Sequence, residues 1–413
     1  MGDSAIMRLM SRGWRRTRTS AFMVGLCVAG CGSGDASKIT AVGVPSADLP
    51  SPTAPLSGFV PPSCATNPTQ DGVGTWRPIS LDGAPSVAEY GVWTGTEVVV
   101  VNSQDPSETS APESISAYDP VLDRWRNIAI PSDVALSRSE PYLAVVGNKL
   151  LVYGGYASGN GSPSGSSYPV LTSGWSIDLQ TGAWTSMAAG PPMSPGGIFY
   201  VQPVFASGTR ALFIPFLAYD LPNGDTIAAA TYDISADQWA TVAAPGSTTS
   251  FGCFYPGWNG QQAACNDADY LFLVSAEPLA IKPVPKLLDS TLARYPIAFT
   301  PVGDLFFGLG SDPLSQSTAQ VFWFDPAHQD WSAPTPIPGG LGLKITTING
   351  RVLFWGEQNV GPTVFDPVAG TWSPVTCVGA PSVAPLGFEV PTNSGLIVVG
   401  GTQLPADNGV LEL

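Results

Sequence analysis

Arg138 and Arg294 each stand just ahead of a short apolar run, at matching positions of a pattern that recurs along the chain. Cations are scarce, with 17 Lys and Arg against 32 Asp and Glu in 413 residues, so two at equivalent positions invite a role. The planar guanidinium fork suits a carboxylate or an acidic sugar. It could instead pair structurally with Glu140, Asp133 or Asp289. Arg138, Glu140 and Arg294 are therefore the candidate ligand-binding residues. Asp105, Glu108, Glu113, Asp220, Asp225, Asp267 and Asp269 crowd the segments between apolar runs. Paired acids can hydrolyse glycosides, whereas scattered ones keep a surface soluble. Asn266-Asp267-Ala268-Asp269 gathers oxygen ligands of the kind Ca²⁺ takes, without the glycine and distal glutamate of a full calcium loop. His328 is the single histidine and falls in a turn. Triad hydrolysis and histidine-ligated zinc need a histidine in a pocket, which such a turn does not supply. No metal site, cofactor or catalytic constellation is expected.

The elements that must carry these residues are short strands. Apolar runs of four to six residues, rich in Val, Leu and Tyr, alternate with Gly, Pro, Asn and Asp. Ser139–Trp184 writes the unit out most fully: Tyr142–Val146, a Gly147–Asn148–Lys149 turn, Leu150–Gly155, a Gly/Ser-rich loop, Gly174–Asp178 and Ala183–Met187. No amphipathic period is long enough for a substantial helix.

Two landmarks set the period. An aromatic or aliphatic residue, Asp, five residues and Trp recur as Tyr118-Asp119…Trp125, Ile177-Asp178…Trp184, Tyr232-Asp233…Trp239, Phe324-Asp325…Trp331 and Phe365-Asp366…Trp372. The Asp opens a turn and the Trp fills space between sheets. Hairpins around Gly95, Gly147, Gly208, Gly260, Gly303, Gly350 and Gly395 follow at spacings of 52, 61, 52, 43, 47 and 45. Such a period means a repeat fold. Hairpin, glycines, third strand and a Trp-bearing fourth strand resemble the kelch repeat, one blade of a β-propeller. The resemblance covers about residues 70–413. Its diglycine stands at Gly154-Gly155 and Gly400-Gly401, with single Gly308, Gly310 and Gly356 elsewhere.

The expectation is all-β: a seven-bladed kelch-like propeller over residues 63–413. One blade, between Trp239 and Trp331, lacks its Trp and is pieced from Phe254–Trp258, Gln261–Cys265, Tyr270–Ser275 and Leu279–Lys282. The last blade ends in Val410–Leu413 and takes its outer strand from Gly74–Ile79, which bears Trp76. Closure from the opposite terminus leaves no free edge. In kelch-type propellers ligands meet the face of the second-to-third-strand and blade-to-blade loops. Those loops are Asn102–Glu113, Tyr156–Thr172, Leu217–Asp225, Ser311–Ala319, Pro131–Glu140 and Val284–Arg294. Sialidases also join propellers to arginines, but their Asp-box lacks the six-residue offset.

Residues 1–30 read as a signal peptide: five arginines, then the apolar Ala21–Ala29. Val28-Ala29-Gly30-Cys31 resembles the bacterial lipobox, which implies lipidation of Cys31. Residues 31–62 read as a Gly/Ser/Pro-rich tether. Beyond residue 30 the chain holds 12 Lys and Arg against 31 Asp and Glu, which disfavours nucleic acid. Cys64, Cys253, Cys265 and Cys377 suggest two disulfides in an exported chain. The repeat register favours Cys253–Cys265 and Cys64–Cys377.

The expected role is a monomeric cell-envelope lipoprotein that binds or scaffolds a protein, peptide or glycan without catalysis. The alternative is a carbohydrate-active enzyme, a glycoside hydrolase or sugar epimerase, working at the channel mouth.

Overall fold

The computed structural model describes residues 69–102, 113–157, 169–193, 204–215, 219–220, 226–243, 253, 256–266, 271–284, 296–311, 319–332, 335–337, 344–355, 362–380, 388–399 and 408–413, apart from single residues within them. They build seven antiparallel sheets in succession, a seven-bladed β-propeller. The first blade is Tyr90–Trp93, Val98–Asn102, Ser114–Asp119 and Arg124–Ile128. The second is Tyr142–Val146, Lys149–Tyr153, Gly174–Asp178 and Trp184–Ser186. Val204–Ser207, Arg210–Phe213, Thr226–Asp233 and Gln238–Ala243 form the third, with Tyr219–Asp220 added beside its third strand. The fourth, from Gly257–Trp258, Gln262–Asn266, Leu271–Ala276 and Leu279–Val284, matches the blade pieced together without a Trp. Pro296–Val302, Leu305–Ser311, Ala319–Asp325 and Asp330–Trp331 make the fifth, where Thr335–Ile337 also pairs with the third strand. The sixth is Lys344–Ile348, Arg351–Trp355, Thr363–Asp366 and Thr371–Pro374.

The seventh blade joins the two ends of the ring. Phe388–Pro391, Gly395–Val399 and Gly409–Glu412 come from the C-terminal side, and Thr75–Pro78 adds the outer strand. Its register is Thr75↔Glu412, Trp76↔Leu411, Arg77↔Val410 and Pro78↔Gly409. Val73 pairs in parallel with Val375 at the end of the sixth blade. Arg77 then fastens this seam to the first blade. Its guanidinium donates to Pro120 O at 2.9 Å and Tyr118 Oη at 3.3 Å, and it pairs with Asp123 and Glu412 at 3.5 Å each.

Among the described residues the core is seven separate apolar clusters, each shared by two neighbouring blades. Strand alternation explains this. Val98 and Val100 face the seventh blade while Val99 and Val101 face the second. A second strand is thus buried on both sides and reads as an unbroken apolar run. The run Val98–Asn102 is buried throughout.

The fixed Asp-to-Trp offset has a local cause. Asp119 Oδ1 accepts the N–H groups of Val121 and Leu122 at 2.9 and 3.0 Å. Asp178, Asp233, Asp325 and Asp366 cap their own turns in the same way. Four residues past each Asp the backbone turns left-handed: Asp123 (φ 48°), Gly182 (71°), Asp237 (52°), Gln329 (57°) and Gly370 (66°). The chain then re-enters the sheet with Trp at the sixth place.

Three of these tryptophans, and Trp76 of the closing strand, reach back one blade, whereas Trp372 Nε1 is buried with no hydrogen-bond partner among the described residues. The indole N–H of Trp125 donates to Ser80 O (2.8 Å), Trp184 to Ala129 O (3.0 Å), Trp239 to Ala188 O (2.9 Å) and Trp76 to Thr376 O (3.0 Å). Every acceptor lies just past the outer strand of the preceding blade. Burial alone would not fix the ring's order; these donors add direction.

Cys253 and Cys265 are disulfide-bonded, with their Cα atoms 4.8 Å apart. Cys377 is buried and also disulfide-bonded. Its expected partner Cys64 lies outside the described residues, as do Cys31, the signal peptide and the tether.

Candidate functional site

The long loop between the second and third strands of the second blade leaves through Gly154-Gly155. Both glycines are left-handed, at φ 65° and 85°. A Cβ on Gly155 would meet Ser139 O at 2.5 Å, so glycine is required by close approach as well as by φ. Ser139 belongs to Arg138–Ser139, a two-residue strand ahead of the blade, which pairs with Tyr156–Ala157 in the register Arg138↔Ala157 and Ser139↔Tyr156. On its other side Tyr156 bridges to Val170. Ala157 N–H donates to Pro169 O at 2.9 Å and Leu171 N–H to Gly155 O at 2.8 Å. Three chain segments therefore form a stalk at the base of this loop.

Arg138 locks that stalk. It is 4% exposed, and its Nη1 donates to Gly154 O at 3.2 Å and Ser173 O at 3.0 Å, one carbonyl on each stem. Its Nε is buried and has no hydrogen-bond partner among the described residues. Burial pulls the Arg138 pKa down, and the charge of Glu113 opposes that shift. Glu113 itself accepts Leu136 N–H at 3.1 Å, which ties the linker into this blade to the loop of the first. So neither acid weighed as a partner close in sequence explains Arg138. Two backbone carbonyls and the more distant Glu113 do.

Glu140 lies beside it in a conformation that side chains adopt reluctantly, φ 56°. That costs about 1 kcal/mol, and the surroundings must hold it. Its N–H donates to Tyr90 Oη at 3.0 Å, which links the stalk to the innermost strand of the first blade. Tyr142, Tyr153 and Tyr156 complete the cluster. Burial pushes the phenol pKa of Tyr142 well up, reinforced by Tyr156, Tyr153 and Glu140. Burial also raises Tyr153, against the pull of Arg138, and its hydroxyl donates to Pro191 O at 2.8 Å.

The structure thus brings Arg138, Glu140 and Glu113 into one neighbourhood and adds four tyrosines that were not singled out as site residues. A signal existed for three of them: Tyr142 and Tyr153 fall in the two strand runs ahead of the longest loop, and Tyr156 opens that loop. Arg294, Asp105, Glu108, Asp225, Asp267 and Asp269 lie outside the described residues, as does most of each expected ligand-face loop except Pro131–Glu140. Asp220 sits in a strand whose side chains are not described. His328 is on the surface, its ring nitrogen 2.6 Å from Asp325 Oδ2, and that hydrogen bond raises its pKa. Among the described residues no three acids, histidines or cysteines gather as a metal site would.

Against known proteins, no family model matches the chain. No curated protein matches it either.

Proposed function

We propose that this chain is a non-enzymatic binding or scaffolding module of the kelch-like kind, exported and held at the bacterial cell envelope through a lipid on Cys31. The observation that carries the reading is the clamped stalk. A buried guanidinium holding both stems of one long loop serves to present that loop from a rigid scaffold, and presented loops are where binding residues concentrate. The kelch likeness gains support from the paired left-handed glycines after a second strand and from the outer-strand tryptophans. Export gains support from the Cys253–Cys265 disulfide, a bond of oxidising compartments. The second pair would be Cys64–Cys377. The partner is a protein, peptide or glycan, and the chain works as a monomer.

The carbohydrate-enzyme reading rests on a different observation: Arg138, Glu113 and Glu140 share one neighbourhood with tyrosines. A thermal-shift screen of the full-length protein against glycans, cell-wall fragments, peptides and Ca²⁺ separates the two readings. A ligand at a hundredfold its Kd adds about 2.7 kcal/mol of stability. A hit that the protein does not turn over supports the binding role. Turnover of a glycan hit would move the assignment to the enzyme, and pull-down from envelope extract without any specific partner or small-ligand hit would remove the binding role.

A further inference from the structure

Arg138 holds a charge below the surface with one of its donors unmatched. Nη1 serves two carbonyls, yet Nε meets no acceptor among the described residues. In a guanidinium, Nε and Nη2 form the side-on fork that grips a carboxylate through two parallel hydrogen bonds. An unsatisfied buried donor is costly, and a cation is the costliest kind. Natural structures keep such a group where something else completes it. We infer that the Nε side of Arg138 is a subsite for the carboxylate of a small acidic ligand, reached when the loop stems beyond the Arg138 clamp part. This rests on the binding role proposed above and names the chemistry it would recognise.

The neighbours fit that assignment. Glu113 supports the positive charge from a distance while its own carboxylate holds Leu136 N–H, so the Arg138 fork and the acid are not locked together. Tyr153 and Tyr142 lie close enough to Arg138 or Glu140 for their charges to be felt, which lines the place with phenols. Nε is covered, so entry requires motion. Beyond the Arg138 clamp the loop stems are held by a two-residue ladder, one bridge and a few backbone bonds, against the five-residue ladders of the blade beneath. They therefore part at lower cost while the clamp on Gly154 and Ser173 stays closed. Glu140, left-handed and tied to Tyr90, marks where the stalk meets the rigid ring.

The test titrates the full-length protein with two acids and their neutral counterparts, D-glucuronate against D-glucose and N-acetyl-L-alanine against its amide. Binding is followed by calorimetry, and hydrogen exchange is read at the Ala157 and Leu171 amides. The expected result is saturable binding of at least one acid, none of its neutral counterpart, and changed exchange at those two amides. Whichever acid binds identifies the source of the carboxylate, sugar or peptide end. Arg138→Lys, which keeps the charge and loses the fork, should weaken binding at least tenfold. Equal binding of acid and neutral forms, unchanged affinity in Arg138→Lys, or no binding of either acid at millimolar concentration overturns the subsite and leaves Nε to an ordered water. The wild-type arms decide the matter even where Arg138→Lys fails to fold. A neutral glycan or protein partner that binds regardless of carboxylate would sink the subsite and spare the broader binding role.

Discussion

The third and fourth blades solve the same problem with different bonds. In the third, Asp233 opens a long turn, Trp239 ends it, and the indole N–H holds Ala188 in the chain leaving the second blade. In the fourth, Ala276 pairs directly with Leu279 across Glu277-Pro278, which leaves no room for a capping Asp or a Trp six places on. Leu279 takes the packing place, against the apolar cluster shared with the third blade. The directional bond is replaced by Cys253–Cys265, which ties the chain leaving the third blade to the second strand of the fourth. Both devices hold a blade to the segment that precedes it. The ring tolerates loss of the Trp where a covalent bond performs the same task.

Truncating the Trp side of this comparison should have the largest effect. Trp239 packs on Tyr153, Phe213 and Tyr232, with ring centroids 4.4 to 5.1 Å away. Trp239→Ala should cost about 3 to 4 kcal/mol in urea unfolding, and Leu279→Ala in the fourth blade about half that. Equal costs would mean that packing, not the clasp, distinguishes the blades. Next comes the covalent bond. The double variant Cys253→Ser with Cys265→Ser opens a 12-residue separation and should lose about 3 kcal/mol. The fourth-blade amides of Leu271–Ala276 should then exchange faster than those of the third blade. Trp125→Phe keeps most of the packing and removes one hydrogen bond to Ser80, so about 1 kcal/mol is expected.

The smallest effects are pH-dependent. The Tyr118 hydroxyl bond and the Ser80 N–H hold the Asp123 carboxyl below its usual value. A depressed carboxylate contributes stability that is complete above about pH 4, the unfolded value, and fades as pH falls through the folded one. Asp123→Asn should flatten that acid limb. Tyr118 responds at the other end. Burial, followed by the bond to Asp123, lifts its phenol to about 12, so its contribution is complete below about pH 10 and is lost as pH climbs towards 12. An unchanged alkaline limb in Tyr118→Phe would remove this account.

Blade number, seam and turn were legible because the contacts that specify them repeat and act over short distances. Asp119 caps residues two and three places on, and the left-handed residue follows at a fixed step, so the chemistry leaves a fixed spacing. The fourth blade was found by elimination, from a gap of two periods, since a two-residue turn leaves no Asp–Trp signature. The role of Arg138 left no such trace. Its partners Gly154 and Ser173 are 16 and 35 residues away, and both contribute carbonyl oxygens that any residue owns. The left-handed Glu140 was equally silent, because glutamate is no marker for that conformation. The tyrosines were visible as strand residues, but only the stalk reveals that they meet one another.

The seam has a mechanical consequence. For a chain held from its N-terminal side, as proposed here, tension enters at Gly72 and runs along Thr75–Pro78. The ladder to Gly409–Glu412, the Val73 bonds to Pro374 and Thr376, and the Arg77 contacts lie side by side under that load. They share it as a lap joint does, in shear, instead of peeling one bond at a time. The strand that closes the ring is also its mooring point.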